Sequence, residues 1–271
     1  MNDEIRQAWN SFADTYRQIV DIRTDKIHYG PLGPDEDDLQ LLGNLSGRSV
    51  IELGCGAGQN SVAMAHRGAQ VTGVDFAERQ LQLARNLSTE HSVDVNFVNA
   101  DLADLSAFPS ARWDVVLSCF AIEYLADIDK FFSDVHRLLR PNGLAVICDL
   151  HPFVSSCDLS GVDMRSVLSS VNYFDRSAVT FDWPAPDRAS VNTFTRFHRT
   201  VEQWFKAIAR SGLVVTAVRE PPIERRWSGD TPAYSDETIT SQYDSVWKRL
   251  PYTLIVASRR HPEDAEIPCI G

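Results

Sequence analysis

The stretch VIELGCGAGQNS, residues 50–61, places three glycines at alternate positions directly after an apolar run. Glycine tolerates backbone dihedral angles that other residues avoid, and it lets a ligand come close to the main chain. A single tight turn needs fewer glycines than this. The stretch therefore predicts a buried strand, a ligand-binding turn and the start of a helix. This arrangement is typical of open α/β sheets, where ligands bind beyond the carboxyl ends of the strands.

Strands and helices alternate from residue 49 onward. Short apolar runs predict strands, and apolar residues three or four positions apart predict the helices between them. The predicted strands are residues 49–53, 70–74, 93–98, 113–118, 144–150, 214–218 and 252–257, and the helices are 61–67, 77–87, 128–139 and a segment from Val201 to Gly212. Short apolar strands between helices indicate a mostly parallel sheet that is buried on both faces.

Three segments fall outside this alternation. An amphipathic helix leads the chain, and the stretch YGPLGPDEDD after it is compatible with either a plain linker or the joint of a lid. Two long excursions rich in aromatic residues follow the fifth strand and precede the last one. We therefore divide the chain into a helical lid (1–40), a cofactor-binding core (41–151), an insert over the site (152–195) and a C-terminal completion of the sheet with a second lid loop (196–271).

Charge and composition argue against several functional classes. The formal net charge is −11, whereas a nucleic-acid or anionic-membrane binder needs a basic face. No apolar run approaches the roughly 20 residues of a membrane helix, and the first residues lack the apolar stretch of a signal peptide. The five cysteines form no CxxC pair and the seven histidines form no HxxxH pair, so we predict neither disulfides nor a metal site. We expect a cytoplasmic monomer or homodimer.

Acidic residues mark the carboxyl ends of the first three predicted strands. Glu52 precedes the glycines, where a carboxylate suits a cation better than a phosphate. Asp75 ends the second strand and can accept hydrogen bonds from two ribose hydroxyls, since an ionised carboxylate only accepts. Asp101 ends the third strand and can accept from an exocyclic amine such as adenine N6. The three acids in this order predict a binding site for a nucleoside that carries a positive charge and no phosphate.

Two other functions stay open at this point. A nicotinamide-dependent oxidoreductase needs the spacing G-x-G-x-x-G, and here position 59 is Gln. A binding module that keeps the cofactor without catalysing a reaction has the same acids as an enzyme, so these residues do not distinguish the two.

Five motifs in sequence order over residues 49–150 resemble those of class I S-adenosylmethionine-dependent methyltransferases: VIELGCGAG, VTGVDFA, VNADLADL, WDVVLSCFAIEYLADI and LLRPNGLAVI. The later segments DLHPF and FHRTVEQWFKAIARSGLVV are similar to bacterial small-molecule members of this family. The resemblance implies a Rossmann-like, seven-stranded, mostly parallel sheet with helices on both faces, covered by a lid from the N-terminal helix and the inserts. It also implies S-adenosylmethionine as cofactor and S-adenosylhomocysteine as product.

The resemblance also assigns the cofactor residues. Glu52 and the glycine loop are expected along the methionine portion, Asp75 at the ribose, and Asp101 with Leu102 around the adenine. Residues 118–120 are expected to line the floor between cofactor and substrate. The full predicted set is Tyr16, Glu52, Gly54, Cys55, Gly56, Gly58, Asp75, Phe76, Gln80, Asp101, Leu102, Ser118 and Phe120.

The lid segments predict the kind of substrate. Methyl transfer from a sulfonium has a good leaving group, so the protein mainly aligns the reactants and excludes water. The lids carry many aromatic residues, which predict a pocket for a small, largely apolar or aromatic metabolite, as in natural-product tailoring. The acceptor atom stays open between C, N and O, an indole-type carbon included. The aromatic residues are Phe153, Tyr173, Phe174, Phe181, Trp183, Trp227 and Tyr234.

A general base is needed if the acceptor starts as OH, NH or ring CH. A base that titrates near neutrality favours histidine. His151 directly follows the fifth strand and is the first candidate, and His198, before the helix at Val201, is the second. His28 adjoins the joint of the predicted lid. Many relatives have a histidine near residues 121–125, where this chain has Glu123 and Tyr124, and these two are further candidates.

Overall fold

The computed structural model describes residues 2–31, 33–157, 172–184, 191–223, 234–236 and 250–262. The helices are α1 (Asn2–Ile19), α2 (Glu36–Leu39), α3 (Gln59–His66), α4 (Glu78–Glu90), α5 (Ile128–Leu138), α6 (Pro152–Ser155) and α7 (Val201–Arg210). The strands are β1 (Val20–Ile22), β2 (Ser49–Leu53), β3 (Gln70–Asp75), β4 (Val95–Asn99), β5 (Trp113–Cys119), β6 (Leu139–Leu150), β7 (Ala178–Pro184), β8 (Val191–Phe197), β9 (Leu213–Arg219), β10 (Tyr234–Asp236) and β11 (Thr253–Arg260).

Seven strands form the central sheet in the order β4-β3-β2-β5-β6-β11-β9. Strands β2 to β6 run parallel to one another, and β11 is antiparallel to both β6 and β9. The predicted seven-stranded, mostly parallel sheet is therefore confirmed. The chain proceeds from β2 toward β4 on one side and from β5 toward β6 on the other. The order consequently reverses between β2 and β5, which is where an open α/β sheet binds its ligands.

Apolar clusters on both faces of the sheet explain its stability. All five residues of β2 are buried. Ile51 and Val116 pack with Phe131 and Phe132 of α5 in one cluster. Val50, among others, belongs to a second cluster that also includes residues of α3. Burying one such large side chain contributes about 1.5–3 kcal/mol, so the two clusters give the sheet most of its stability.

The strand β6 begins earlier than the sequence indicates. Pro141 and Gly143 predict a turn after the helix, and the regular pairing with β11 does run from Leu144. The strand nevertheless begins at Leu139, which pairs with Trp113 before a register shift in β5. The register shift accommodates the turn-forming residues, because it leaves the residues between Leu139 and Leu144 out of the regular pairing with β5.

The stretch YGPLGPDEDD is mostly buried. The carboxylate of Glu36 holds it by accepting hydrogen bonds from the Tyr29 hydroxyl and from the main-chain N–H groups of Leu41, Leu42 and Gly43. Asp35 caps α2 and forms an ion pair of 2.6 Å with Lys26. Hydrophobic periodicity did not predict α2, because three of its four residues are acidic and the buried group is a carboxylate.

The helix α1 packs against a hairpin formed by β7 and β8. The ring centroids of Trp9 and Phe194 lie 5.0 Å apart, and those of Phe12 and Trp183 lie 5.2 Å apart. Phe181 stacks on Phe194, whereas Phe174 is exposed. The hairpin was not predicted from the sequence. Trp227 and the side chain of Tyr234 lie outside the described residues, as do residues 158–171 and 185–190 of the insert.

Candidate active site

A cleft opens at the carboxyl edge of the sheet, where the strand order reverses. Its empty volume, counted up to the open mouth, is about 1130 Å³. One wall consists of the glycine loop and the strand ends, and the other is formed by Trp9, Ala13, Tyr16 and Arg17 of α1 with Val20 and Ile22 of β1.

The strand order arranges three acidic residues and one aromatic residue of the cleft in a row. Asp101 follows β4, Asp75 ends β3, Glu52 lies in β2 and Phe120 follows β5, and all four line the cleft. Because these strands are neighbours in the sheet, the four residues succeed one another along its edge. A ligand that extends from Asp101 to Glu52 therefore has its far end directed toward β5.

The three glycines of the loop serve different purposes. All have positive φ: +78° at Gly54, +51° at Gly56 and +83° at Gly58. A Cβ on Gly54 would lie 2.2 Å from the Ala121 Cβ, and one on Gly58 would lie 2.8 Å from the Ala84 Cβ. A Cβ on Gly56 would have no neighbour closer than 4.0 Å. Close packing thus requires glycine at positions 54 and 58, whereas Gly56 faces the space that a ligand would fill.

Two glycine variants should separate these roles. We expect Gly54→Ala to lower the free energy of unfolding by about 2–5 kcal/mol, because it combines left-handed strain with overpacking. We expect Gly56→Ala to cost about 1–2 kcal/mol from strain alone, but to weaken S-adenosylhomocysteine binding at least about tenfold. Urea unfolding and titration calorimetry measure the two effects. Equal loss of stability in both variants would contradict this assignment.

Two buried carboxyl groups stand in the middle of the cleft. Asp75 accepts hydrogen bonds of 2.9 Å from the main-chain N–H groups of both Gly56 and Ala77, and burial raises its pKa to about 6. Glu52 accepts a hydrogen bond from the Ser61 hydroxyl, and burial raises its pKa to about 8. Neither side chain forms an ion pair within the described part of the chain. A cationic ligand would supply the positive charge that the two carboxyl groups lack, so Asp75 and Glu52 are compatible with a nucleoside that carries a sulfonium.

The raised carboxyl pKa values predict a pH dependence. Asp75 and Glu52 bind more protons in the folded protein than in the unfolded chain between about pH 4 and 8, so their joint contribution to the stability of the ligand-free protein should fall as pH rises through this range. A cation favours the carboxylate form, so S-adenosylmethionine affinity should rise by up to about tenfold per pH unit between pH 6 and 8. Calorimetry should show a smaller rise for S-adenosylhomocysteine, which lacks the sulfonium charge. A Glu52→Gln variant that keeps the full rise would refute the role of Glu52.

Eleven of the thirteen predicted cofactor residues line this cleft. The two exceptions are structural: Gly58 packs against α4, and the Ser118 hydroxyl donates a 2.8 Å hydrogen bond to the Leu53 carbonyl between β2 and β5. Sequence analysis missed Trp9 and Ala13 as cleft residues. The available signal was their spacing, because Trp9 lies four residues before Ala13 and Ala13 three residues before Tyr16, which places all three on one side of α1. The eleven are Tyr16, Glu52, Gly54, Cys55, Gly56, Asp75, Phe76, Gln80, Asp101, Leu102 and Phe120.

Phe120 adopts a backbone conformation that is rare for a large side chain. Its φ is +54°, and its ring lies where a Cβ on Gly30 would be, 2.2 Å from the nearest ring carbon. A non-glycine residue in this region stores strain of about 1–3 kcal/mol, and such residues cluster at ligand sites. The residue lines the cleft next to the end of β5, and its ring packs against Gly30 and stacks on Tyr252.

The predicted histidine bases lie outside the cleft. The Nδ1 atom of His151 accepts from the Phe153 N–H, and its Nε2 lies 2.7 Å from Glu220. The ring nitrogens of His198 contact the Ser155 hydroxyl at 2.6 Å and the Tyr173 carbonyl at 2.8 Å. Burial lowers the pKa of both histidines. In this structure both hold the segment after β6 in place.

The other candidates are closer to the ligand space. Tyr124 and His28 line the cleft. Glu123 lies behind Tyr124, in a second cavity of about 280 Å³ that it shares with Asp149, Arg196 and Arg199. Burial raises the pKa of Glu123, while Arg196 and a hydrogen bond from Tyr124 counteract the rise. Tyr124 therefore stands between the cleft and a buried carboxyl group.

The fold, the glycine loop and the three strand-end acids together define a class I S-adenosylmethionine-dependent methyltransferase domain. Residues 51–147 match the family described as Methyltransferase domain, which confirms the family and the cofactor predicted from the sequence motifs. Among the described residues, no group of three or more His, Cys, Asp and Glu side chains is arranged to hold a metal ion, and no helix has the length and apolarity to cross a membrane.

Comparison with known proteins extends the likeness beyond this domain. The chain is 34% identical over 153 residues to a demethylmenaquinone methyltransferase of Tropheryma whipplei, covering 55% of this chain and 60% of the relative. It is 28% identical over 220 residues to a ubiquinone biosynthesis O-methyltransferase of Methylobacterium, covering 79% of this chain and 78% of the relative. The fold matches a putative S-adenosylmethionine-dependent methyltransferase of Listeria monocytogenes with a TM-score of 0.62 and 23% identity, over 83% of this chain and 97% of that one.

Proposed function

We propose that this chain is an enzyme that transfers a methyl group from S-adenosylmethionine to a small, largely apolar ring compound. The observation that carries this proposal is the cleft itself. Its strand-end acids suit a cationic nucleoside, and its opposite wall is formed by Trp9, Tyr16 and the apolar residues of β1. An apolar pocket with few polar groups selects flat, largely hydrophobic ligands.

The cofactor, when bound, supplies an electrophilic methyl group on a sulfonium. Asp75 would accept the ribose hydroxyls, while Glu52 would neutralise the positive end of the ligand. The helix α1 and Phe120 would exclude water from the acceptor, which favours displacement at carbon by aligning the reactants in an apolar space.

The acceptor proton would leave through Tyr124 and Glu123. The Tyr124 hydroxyl would take the proton from the acceptor and pass its own proton to the Glu123 carboxylate, which becomes a neutral acid. Burial raises the pKa of Tyr124 well above its usual value, so the phenol stays protonated at the start and end of this transfer. A carboxylate with a raised pKa is a suitable base near neutral pH.

The names of the two relatives favour an oxygenated ring of the quinol type as acceptor. The tailoring of a natural product, with an indole-type carbon as acceptor, is the second candidate. Its support is the number of aromatic side chains around the cleft mouth, where Trp9 and Tyr124 stand edge to face at 5.8 Å. A monomer or a homodimer would serve either reaction.

A panel of ring compounds tests this function. The protein is incubated with S-adenosylmethionine and with catechols, naphthoquinols or indoles, and mass spectrometry follows the gain of one methyl group. We expect methylation of a catechol or a naphthoquinol. Methylation of indoles alone would select the second candidate, and tight cofactor binding with no methylated product across related and larger panels would favour a non-catalytic binding module.

A further inference from the structure

Two oppositely charged side chains hold the turn that presents Tyr124 to the cleft. The Asp149 Oδ2 atom accepts a 2.8 Å hydrogen bond from the Glu123 N–H, and the Arg199 Nη1 atom donates one of 3.1 Å to the Ile122 carbonyl. The Ile122 carbonyl and the Glu123 N–H belong to one planar peptide unit. Asp149 and Arg199 therefore hold both ends of a single peptide unit in the turn that carries Tyr124.

Further hydrogen bonds fix both of these side chains. Asp149 is buried in β6, where its Oδ1 atom accepts a 2.7 Å hydrogen bond from the Leu150 N–H. Arg199 is buried between β8 and α7, and its Nη1 atom also donates to the Phe197 carbonyl over 3.2 Å. The turn is thus joined to the central sheet by Asp149 and to the end of β8 by Arg199. The position of Tyr124 depends on both side chains.

The charges around Glu123 come from three elements. Asp149 belongs to β6, Arg196 to β8 and Arg199 to the segment before α7. All three line the second cavity together with Glu123, whose hydrogen-bond partner on its own turn is Tyr124. Within the described residues, the Nε atom of Arg196 and the Nη2 atom of Arg199 are buried without a hydrogen-bond partner. Such donors favour a negative charge in the cavity that they border, because a buried charged donor without a partner is costly.

Glu123 titrates under the influence of these charges. Burial raises its pKa, and the positive charges of Arg196 and Arg199 counteract the rise. Burial lowers the pKa of Arg199 to about 10, so its guanidinium stays cationic near neutral pH. Asp149 and Asp127 are the other carboxyl groups that face Arg199. The two arginines therefore favour the carboxylate form of Glu123, which is the form that can take a proton.

We propose that Asp149 and Arg199 are positioning residues for the proton transfer: they hold the Tyr124 hydroxyl at the acceptor, and Arg199 together with Arg196 keeps Glu123 ionised. This inference rests on the proposed function, because it concerns the same proton path. Asp149 acts through its hydrogen bond to the turn, Arg196 through its charge, and Arg199 through both.

Two methionine variants separate charge from position. Arg196→Met and Arg199→Met each remove one positive charge beside Glu123, but only the second releases the Ile122 carbonyl. In both we expect the low-pH limb of kcat to move up by about one pH unit or more, because the carboxylate loses a stabilising charge. Above that limb, kcat should fall at least about tenfold in Arg199→Met and much less in Arg196→Met, because only the first misplaces Tyr124. Rapid-quench kinetics with 2,3-dihydroxynaphthalene as acceptor measures both effects.

A second pair of variants tests Asp149. Asp149→Asn keeps an oxygen that can accept from the Glu123 N–H, whereas Asp149→Leu has a similar volume and no acceptor. We expect kcat to be at least about tenfold lower in Asp149→Leu than in Asp149→Asn, because only the leucine releases the turn. S-adenosylhomocysteine affinity should stay at the wild-type value in all four variants. Equal kcat in the two Asp149 variants would contradict the positioning role.

A titration without substrate tests the charge effect whatever the acceptor is. Carboxyl ¹³C NMR of protein labelled in its glutamates gives the pKa of Glu123, whose signal is assigned from Glu123→Gln. A pKa that stays at the wild-type value in both methionine variants would overturn this inference and leave the proposed function standing. If Arg199→Met does not fold, Arg199→Lys replaces it: kcat should fall while the limb stays, since lysine keeps the charge but reaches less far.

Other outcomes would instead contradict the proposed function. A kinetic limb that persists in Glu123→Gln, or that stays in place while the pKa of Glu123 rises, would mean that the proton leaves by another path. Wild-type protein that does not methylate the naphthalene would count against the proposed acceptor class, and the NMR titration would then decide the inference.

Discussion

An Asp75→Ala protein is expected to bind S-adenosylmethionine about 10²–10⁴-fold more weakly than the wild type. Two charge-assisted hydrogen bonds to ribose contribute about 1.5–3 kcal/mol each, and their sum corresponds to this range. The substitution also leaves the N–H groups of Gly56 and Ala77 without their acceptor, so part of the loss comes from the loop. Titration calorimetry measures the affinity.

Two further variants make this result specific. Asp75→Asn keeps one oxygen acceptor and removes the charge, so we expect an intermediate loss. Asp94→Ala changes an exposed aspartate outside the cleft and should leave binding unchanged. Unaltered affinity in Asp75→Ala would mean that the ribose is held elsewhere.

Tyr124→Phe and Glu123→Gln are expected to lower kcat by about 10²–10⁴-fold while S-adenosylhomocysteine affinity stays the same. The first removes the hydroxyl between the cleft and Glu123, and the second removes the proton acceptor. Rapid-quench kinetics with a methylated ring from the panel measures the rate. The low-pH limb of the rate profile should disappear in Glu123→Gln, since that limb reports the protonation of the base.

His151→Ala is the comparison for this pair. The sequence ranks His151 first as the base, and its replacement would then reduce kcat by the same 10²–10⁴-fold. In the structure its ring joins Phe153 to Glu220 outside the cleft. We expect less than tenfold loss of kcat, together with lower stability of the segment after β6. A larger fall than in Tyr124→Phe would assign the base to His151.

The sheet and the cofactor side of the cleft were predictable from the sequence, because local patterns determine them. Apolar runs place β2 and β5, and glycines or acids mark the strand ends. The opposite side was not predictable in this way. The contact of Trp9 with Phe194 joins residues far apart in the chain. The strand β7 does alternate Val179, Phe181 and Trp183 with polar residues, but this signal was interpreted only as part of an aromatic insert. The polar α2 depends on one buried carboxylate, which no hydrophobic pattern reveals.

The general base was also difficult to predict from the sequence. Position relative to a strand end puts a residue at the correct edge, but it does not determine which way the side chain points. His151 and Glu123 both follow strands that end at this edge, and both turn away from the cleft. Tyr124, one residue further along a short 3-10 turn, faces it.

The packing of α1 on the hairpin β7–β8 has a consequence for biosynthesis. The helix is made early, whereas its partner Phe194 is added after the strands β2 to β6 have left the ribosome, since synthesis runs from the N-terminus. Until then, Trp9 and Phe12 have none of their contacts with the hairpin. The parallel strands β2 to β6 and the glycine loop are thus available while the outer wall of the cleft is still missing, and β9 and β11 complete the sheet afterwards. A growing chain therefore acquires the strands of its nucleoside-binding edge before it acquires the chamber that confines the second reactant.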